Sequence, residues 1–209
     1  MKNIAIWGAA SGLGAAMVDY YHQKGINVIA IARNPDKNTK IAEYQLTAIS
    51  CDATNSNQVE NAVSQLPRDV INISTMGSFR ADIPVDYIGH RNLINALEKY
   101  SHSRFLLVTS LGCGDSWKYL SERAKQGFGS AVREKSLAEA WLKSSSLNFT
   151  ILRPGGLLDG AMTNNGELSQ EVEVHGVITR AEVARLTHKL LESSSVGEIY
   201  QCVDPTATD

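Results

Sequence analysis

Short apolar runs alternate with longer amphipathic stretches along almost the whole chain. The apolar runs are rich in Ile, Val, Leu and aromatic residues and are bounded by Gly, Pro, Asp or Asn, which predicts short β-strands. The predicted strands are Asn3–Trp7, Asn27–Ala32, Leu46–Cys51, Val70–Ser74, Arg104–Thr109, Phe149–Leu152 and Ile199–Val203. Several of them are apolar at almost every position, as expected for parallel strands that are buried on both faces.

The stretches between these strands have the apolar spacing of helices. They predict helices at Leu13–Lys24, Ser56–Leu66, Val85–Tyr100, roughly Arg123–Ser144 and Arg180–Ser193. The alternation predicts an α/β fold, namely a single Rossmann domain over residues 1–209. Its sheet is expected to be doubly wound and mostly parallel, in the order 3-2-1-4-5-6-7, with helices on both faces. Residues 155–178 are the least regular and predict a loop region on the substrate side.

The amino-acid composition excludes several classes of function. At 209 residues the chain has the length of one domain. Its formal net charge of −2 indicates no overall basic surface, so neither nucleic acid nor a membrane is expected as a partner. Glycines interrupt the apolar start of the chain, which favours a buried strand and turn over a signal peptide. No later run is long enough to predict a membrane span.

Cysteine and histidine usage gives no sign of a metal site. The three cysteines, Cys51, Cys113 and Cys202, contain no C-x-x-C pair, and the five histidines have no ligand spacing. An odd number of cysteines without such a motif is typical of a reducing compartment. The sequence therefore predicts a cytoplasmic protein that binds no metal.

A glycine-rich segment, Gly8-Ala9-Ala10-Ser11-Gly12-Leu13-Gly14, follows the first predicted strand and opens the first predicted helix. Dinucleotide-binding loops use glycine for a tight turn, for close approach of the backbone to the pyrophosphate and for close helix–strand packing. The helix N-terminus offers free N–H groups to the phosphates. Because a second strand follows at the expected distance, a dinucleotide site is favoured over a tight turn without a ligand. The predicted contacts are Gly8, Ala10, Ser11, Gly12, Leu13 and Gly14.

The end of the second predicted strand distinguishes NADP from NAD. NAD sites usually place Asp or Glu there, about 20 residues beyond the loop, to bind the ribose hydroxyls. This chain has Arg33 followed by Asn34 and no acidic residue. The Arg33 guanidinium is suited to a 2′-phosphate, with Lys37 and Lys40 as further positive charge. The pattern favours NADP(H), and a solvated arginine at the start of a loop is the alternative.

Further motifs are distributed over nearly the whole chain. They are Arg33-Asn34, Cys51-Asp52, Arg91-Asn92-Leu93-Ile94, Val108-Thr109-Ser110-Leu111 and Leu152-Arg153-Pro154-Gly155-Gly156. Together with the glycine loop they resemble the short-chain dehydrogenase/reductase superfamily, and in particular its atypical subgroup containing biliverdin-IXβ reductase and flavin reductases. The resemblance implies a Rossmann sheet that binds NAD(P)(H).

The resemblance also implies which further residues contact the cofactor. Asp52, with the adjoining Ala53, would meet the adenine. Thr75, Met76 and Gly77 would line the adenosine ribose and diphosphate. Thr109 and Ser110 would lie beside the nicotinamide, and the segment containing Pro154, Gly155 and Gly156 would pass its amide. These positions agree with the general rule that α/β sheets bind ligands outside the carboxyl ends of their strands.

Two features depart from the pattern of that superfamily. Its usual catalytic pair is a tyrosine with a lysine four residues later, but here Ala131 stands four residues before Lys135. Tyr119 is followed at that spacing by Arg123, which is a poor substitute. Members similar to biliverdin-IXβ reductase also lack the pair, so reductase activity without a tyrosine acid is still implied. Trp7 stands where typical members have threonine, and packing alone can account for it.

Two residues are the main catalytic candidates. Ser110 follows a buried strand at the nicotinamide end, where its hydroxyl could orient a substrate or relay a proton. Capping of the strand end is an equal alternative for Ser110. Lys135 could bind the nicotinamide ribose, or it could be solvated beside Glu134 and Glu139.

Aromatic residues after the Gly112-Cys113-Gly114 bend are candidates for a substrate wall. Trp117 and Tyr119 could flank a flat aromatic substrate, although core packing is at least an equal alternative. His175 lies in the irregular stretch, where exposure is expected. Cys113 has no flanking base or cation that would make it more than a neutral thiol.

These observations predict an NADPH-dependent oxidoreductase that transfers hydride to a small, planar, conjugated acceptor of the flavin or linear tetrapyrrole type. The acceptor class follows from the resemblance alone. Because the catalytic tyrosine is missing, a non-catalytic NADP(H)-binding redox sensor or regulatory module is a second hypothesis. A third is an epimerase or isomerase that retains NAD on the same fold. A monomer or small homo-oligomer is expected.

Overall fold

The computed structural model describes residues 3–78, 83–193 and 195–208. Its strands are β1 Asn3–Trp7, β2 Asn27–Ala32, β3 Thr47–Ser50, β4 Ile71–Ser74, β5 Arg104–Val108, β6 Asn148–Pro154, β7 Gly156–Leu158, β8 Glu167–Ser169, β9 Val177–Thr179 and β10 Glu198–Val203. Its α-helices are α1 Gly12–Gln23, α2 Thr39–Glu43, α3 Ser56–Ser64, α4 Val85–Lys99, α5 Glu122–Lys143 and α6 Arg180–Glu192. Short 3-10 helices lie at Pro35–Lys37 and Gly114–Tyr119.

The main sheet has eight strands in the order β3-β2-β1-β4-β5-β6-β10-β8. All neighbouring pairs from β3 to β10 are parallel, and β8 runs antiparallel to β10 at the edge. Since β10 is the seventh strand predicted from the sequence, the predicted order is confirmed. The chain winds outward in both directions from β1 and β4. Their carboxyl ends therefore border the crevice where such sheets bind ligands.

Two apolar layers cover the two faces of the sheet. One contains buried residues of α3, α4 and α5, and the other contains buried residues of α1 and α6. Neighbouring positions of β1 alternate between them, with Ile4 and Ile6 facing one layer and Ala5 and Trp7 the other. This burial on both faces explains why the strands are apolar at almost every position. The indole nitrogen of Trp7 donates to Asn72 Oδ1 at 3.0 Å, which satisfies its one polar atom in the core.

The segment predicted as an irregular loop, residues 155–178, contains three short strands. β7 pairs with β9 in a small parallel sheet, and β8 pairs with β10. Each of these strands has three residues, which is too few to show a strand periodicity in the sequence. Buried Glu182 of α6 accepts hydrogen bonds from the backbone nitrogens of Asn164 (3.0 Å) and Gly166 (2.7 Å). The segment is therefore fastened to the core.

No helix in the described ranges is long and apolar enough to cross a bilayer.

Candidate cofactor and substrate site

Close backbone packing excludes side chains from two positions of the glycine loop. Gly8 has a φ of +92°, in the region that favours glycine. A Cβ on Gly14 would lie 2.1 Å from the carbonyl oxygen of Gly8, and a Cβ on Gly8 would lie 2.9 Å from Thr75 Oγ1. Ser11 precedes α1 but its side chain does not cap the helix. The first-turn N–H groups are therefore available to an anion held close to the loop.

A cavity of about 220 Å³ extends from the glycine loop to the ends of β2 and β4, and we call it the loop cavity. Nine residues predicted to contact a cofactor line it, namely Gly8, Ala10, Ser11, Arg33, Asp52, Ala53, Thr75, Met76 and Gly77. Gly12 borders a groove on the outer side of the loop, and Leu13 is buried in the core beneath it. Asn34 is exposed and lies outside these linings. The residues predicted from separate parts of the sequence thus meet at a single cavity, and their contact with a cofactor stays a prediction.

Arg33 is exposed at the end of β2 and lines the loop cavity. None of the ion pairs between described residues involves its guanidinium. Lys40, expected to add positive charge beside it, is instead paired with Asp19 of α1 at 2.8 Å. Lys37 borders the outer groove with Lys40. Arg33 therefore supplies the positive charge of the loop cavity at this strand end.

Asp52 follows β3 and lines the loop cavity. Its Oδ1 accepts from the hydroxyl and the backbone nitrogen of Thr54, at 2.7 and 3.0 Å. These hydrogen bonds hold the pKa of Asp52 below its ordinary value, so the group is a carboxylate at neutral pH. Asn92, from the Arg91-Asn92 motif, donates to the carbonyl oxygen of Ala53 at 2.9 Å. The motif therefore fixes the turn that carries Asp52.

Ser110 and Lys135 line a second cavity, about 620 Å³, which we call the lysine cavity. Gly77, Asp86, Phe128, Leu157 and Arg180 also line it. The Lys135 ammonium lies 2.6 Å from Asp86 Oδ1, with exposed fractions of 17% for the lysine and 1% for the aspartate side chain. The alternative of a solvated lysine beside Glu134 and Glu139 is therefore wrong, because burial and an ion pair hold Lys135 at the cavity.

A network of buried hydrogen bonds holds the Asp86 end of this ion pair in place. Burial would raise the pKa of Asp86, but the charge and hydrogen bond of Lys135 and the N–H of Ser78 (2.9 Å) hold it below its ordinary value. His90 bridges the carbonyl oxygen of Asp86 (2.5 Å) and the Ser74 hydroxyl (2.8 Å). Complete burial lowers the pKa of His90 to about 4, so the ring is neutral at pH 7. Asp86 and His90 were absent from the sequence prediction, because nothing in their local pattern indicates a distant partner.

Thr109 is turned away from the lysine cavity. Its hydroxyl donates to Glu139 at 2.7 Å, and the same carboxylate receives two hydrogen bonds from Arg153, at 3.0 and 2.6 Å. The Arg153 guanidinium also pairs with Asp115 at 2.6 Å. The Thr109 and Arg153 side chains therefore join β5 and β6 to α5. The Thr109 hydroxyl is taken up by a buried carboxylate, so the position of Thr109 beside the nicotinamide stays a prediction that its hydroxyl does not support.

A third cavity, the tyrosine cavity, adjoins the lysine cavity and has a volume of about 440 Å³. It is lined by Ser110, Tyr119, Leu120, Phe128, Pro154, Gly155, Gly156, His175 and neighbouring residues. A Cβ on Gly155 would lie 2.3 Å from the carbonyl oxygen of Gly176, so this backbone approach requires glycine. His175 is 64% exposed and pairs with Glu173.

Only one of the two aromatic candidates lies at the tyrosine cavity. Tyr119 lines it, but Trp117 packs on the outer surface of α5 beside Gly129. The Trp117 ring lies 5.8 Å from Lys125 Nζ and 5.0 Å from Arg133 Cζ, typical of cation–π contacts. Trp117 is therefore corrected from a substrate wall to a packing role, and Phe128 stands beside Tyr119 in its place.

Comparison with known proteins identifies the family of the chain. A family model described as NAD(P)H-binding matches residues 8–194. The chain therefore belongs to the NAD(P)H-binding family. This match confirms that the chain belongs to a family that binds a nicotinamide dinucleotide, as the glycine loop and the strand-end motifs predicted.

Solved structures and curated relatives resemble the chain to different extents. ChuY, an anaerobilin reductase from Escherichia coli O157:H7, is 41% identical with a TM-score of 0.91, covering 100% of both chains. Sanguinarine reductase from Eschscholzia californica is 32% identical over 117 residues, which are 54% of this chain and 42% of that protein. An uncharacterised chloroplastic protein from Arabidopsis thaliana is 31% identical over 133 residues, 57% of this chain and 45% of that protein. The matched region thus spans less than half the length of these curated relatives.

Proposed function

We propose that the protein is an NADPH-dependent reductase that transfers hydride to a planar, conjugated acceptor. The observation that carries the proposal is the continuity of the three cavities. The loop and lysine cavities share Gly77 and Ser78, and the lysine and tyrosine cavities share Ser110 and Phe128. They form one groove from Arg33 to Tyr119. A dinucleotide on the loop and lysine cavities would place its reactive ring beside the tyrosine cavity.

The preference for NADPH over NADH rests on Arg33. Its guanidinium is exposed at the strand end where NAD-binding proteins usually carry an acidic residue. An arginine there can form two charge-assisted hydrogen bonds with a 2′-phosphate. Asp52 follows the neighbouring strand β3 and also lines the loop cavity; one of its carboxylate oxygens accepts from Thr54, which leaves the other for the adenine edge.

When bound, the cofactor supplies the hydride, and this chain supplies position and exclusion of water. Lys135, held at the lysine cavity by its ion pair with Asp86, would donate hydrogen bonds to the nicotinamide ribose. Ser110 stands between the lysine and tyrosine cavities, where its hydroxyl can orient the acceptor and pass it a proton from solvent. Ala131 lines the lysine cavity where related enzymes carry tyrosine, so the proton route we propose contains no tyrosine acid from that position.

The acceptor class is argued from the cavity and from the relatives. Tyr119, Leu120 and Phe128 give the tyrosine cavity apolar walls, and Pro154 and Gly155 also line it. Its volume of about 440 Å³ lies in the range of roughly 300–1,000 Å³ that is common for small-molecule sites. ChuY is named for reduction of a tetrapyrrole, and sanguinarine reductase for reduction of another conjugated molecule. Their shared chemistry supports a conjugated acceptor of the tetrapyrrole or flavin type.

The test begins with binding and proceeds to turnover. The purified chain is titrated with NADPH and NADH, and consumption of the preferred cofactor is followed with linear tetrapyrroles, flavins, quinones and aldehydes. Arg33→Ala should weaken NADPH about 10- to 100-fold and leave NADH unchanged, because only NADPH carries the 2′-phosphate. Arg91→Ala, on α4 over the Tyr87 ring, is a matched loss of arginine outside the cavities and should change neither. Equal losses for both cofactors in Arg33→Ala would contradict the assignment to NADPH.

Two other functions remain as outcomes of this test. Tight NADPH binding without turnover of any acceptor would favour the redox sensor. Purified protein that retains NAD and shows no net cofactor turnover would favour an epimerase or isomerase. A cytoplasmic location, a single domain and a monomeric or small homo-oligomeric state stay predictions.

A further inference from the structure

Arg180 is a cation on the opposite side of the glycine loop from Arg33. It is the first residue of α6, and its side chain lines both the lysine cavity and the outer groove of the loop. A Cβ on Gly12 would lie 3.8 Å from Arg180 Nε, so the guanidinium faces the first residue of α1. No motif in the sequence pointed to Arg180.

The hydrogen bonding of Arg180 is incomplete. Its Nη1 donates to Asp159 Oδ1 at 2.7 Å, but Asp159 is 95% exposed, so solvent screens this ion pair and it contributes little. Its Nε is buried and has no hydrogen-bond partner among the described residues. A buried guanidinium N–H without an acceptor is destabilising, so this position favours a ligand that brings an anionic oxygen.

Hydrogen bonds fix the backbone at the start of α6, where Arg180 lies. The Thr179 hydroxyl caps α6 through the backbone nitrogen of Glu182 (3.2 Å) and lies 3.1 Å from the carbonyl oxygen of Ala161. Glu182 in turn holds the backbone of Asn164 and Gly166. The start of α6 and the segment that carries Asp159 are therefore fixed against each other. The guanidinium can exchange Asp159 for another anion without moving the backbone.

We propose that Arg180 binds the diphosphate of the dinucleotide, opposite the N-terminus of α1. The inference rests on the proposed function and adds a residue to that site. The glycine loop presents N–H groups to the diphosphate from one side, and Arg180 neutralises its charge from the other. Lys135 is paired with buried Asp86, so Arg180 is the cation of the lysine cavity that can exchange its partner. Arg33 recognises the 2′-phosphate, whereas Arg180 recognises the group that NADP and NAD share.

The experiment compares Arg180→Ala with wild type in calorimetric titrations of NADPH, NADH and adenosine 2′-monophosphate. Loss of charge-assisted hydrogen bonds should raise the Kd of NADPH and of NADH by the same factor, about 10- to 100-fold. The Kd of adenosine 2′-monophosphate, which has no diphosphate, should not change. Arg33→Ala is the matched control with the opposite pattern, because it should weaken the two 2′-phosphorylated ligands and leave NADH unchanged.

Two further variants keep the test decisive. Arg180→Lys retains the charge and should recover part of the affinity for both dinucleotides. Asp159→Asn removes the carboxylate that competes for Arg180. The Kd values of NADPH and NADH should fall about threefold, because the screened Arg180–Asp159 ion pair no longer has to be broken. Unchanged NADPH and NADH affinity in Arg180→Ala would overturn the proposal, as would an increase confined to the KM of a carboxylated acceptor. Failure of wild type to bind either cofactor would instead overturn the proposed function together with this inference.

Discussion

The glycine loop beside the loop cavity is shaped by backbone from one stretch of chain, whereas the lysine cavity is assembled from side chains of four separate elements. Gly8, Gly14 and Arg33 belong to one βαβ unit and lie near each other in the sequence. Ser110, Asp86, Lys135 and Arg180 follow or belong to β5, α4, α5 and α6. The glycine loop depends on the absence of side chains, because a Cβ on Gly14 or Gly8 would clash with the Gly8 carbonyl oxygen or with Thr75. The lysine cavity depends on the compensation of buried charge.

This difference predicts that the two cavities respond to different kinds of substitution. A small steric change should destroy the loop cavity and leave the charges of the lysine cavity in place. A change of charge or of pH should act first on the lysine cavity. There Asp86, buried in its ion pair with Lys135, is in hydrogen-bond contact through its backbone carbonyl with the neutral ring of His90.

The largest effect is expected for Gly14→Ala. The new Cβ would lie 2.1 Å from the Gly8 carbonyl oxygen, so the backbone of the loop must move. Overpacking of this kind costs about 1–3 kcal/mol of stability, and NADPH affinity should fall by about 100-fold or more. Thermal unfolding and NADPH titration measure the two effects. Gly127→Ala on α5, whose Cβ would meet nothing within 4 Å, should be neutral or slightly stabilising. Wild-type NADPH binding by Gly14→Ala would refute the steric account of the loop.

The pH dependence of stability should depend on His90. Its pKa is about 4 in the folded chain, below the ordinary value of 6.5, so the unfolded chain binds more protons between these values. Stability therefore rises with pH through this window. Relative to His90→Gln, wild type should lose about 3 kcal/mol of unfolding free energy from about pH 7 to pH 4.

Urea unfolding of both proteins at several pH values measures this difference. His175→Gln, at an exposed histidine, should follow wild type throughout. A difference between wild type and His90→Gln that does not change with pH would show that burial does not keep His90 neutral.

The ion pair of the lysine cavity is tested by Asp86→Asn. Removing one partner of a fully buried pair lowers the free energy of unfolding by about 3–5 kcal/mol. Because Lys135 is 17% exposed and solvent partly screens the pair, we expect a smaller loss of about 2 kcal/mol. Because folding lowers the pKa of Asp86, this contribution is present above the ordinary carboxyl pKa and is lost as pH falls through the lowered one. Denaturant unfolding at neutral and acidic pH measures it.

Glu60→Gln is the matched control, because it removes the carboxylate of the exposed Lys99–Glu60 pair. Its cost should be about 0–1 kcal/mol. Equal costs for Asp86→Asn and Glu60→Gln would mean that burial adds nothing to the Lys135 pair.

The smallest effect is expected for Ser110→Ala. Loss of its hydroxyl should lower kcat about tenfold, or about 1.4 kcal/mol, because solvent can still supply the proton. NADPH affinity should not change, since Ser110 lies on the acceptor side of the lysine cavity. Single-turnover kinetics separates the two quantities, with exposed Ser130→Ala as control. A loss of NADPH affinity equal to the loss of rate would assign Ser110 to cofactor binding.

Much of the fold was predictable because its signals are local. Strand periodicity and burial on both faces of the sheet follow from runs of a few residues, and the order of the main strands is the one that Rossmann sheets have. The three-residue strands β7, β8 and β9 were not predictable. They exist because longer elements hold their backbone in place, as Glu182 holds Asn164 and Gly166.

The site divides in the same way. The sequence by itself determined the glycine loop and the strand-end arginine, since glycine conformation and the absence of a Cβ are properties of single residues. Only the tertiary structure decided that Lys135 pairs with Asp86, that the Thr109 hydroxyl turns to Glu139 and that Trp117 lies outside the tyrosine cavity. The direction of such side chains is set by distant partners that satisfy their charge or hydrogen bonds on burial, and the local sequence does not contain those partners.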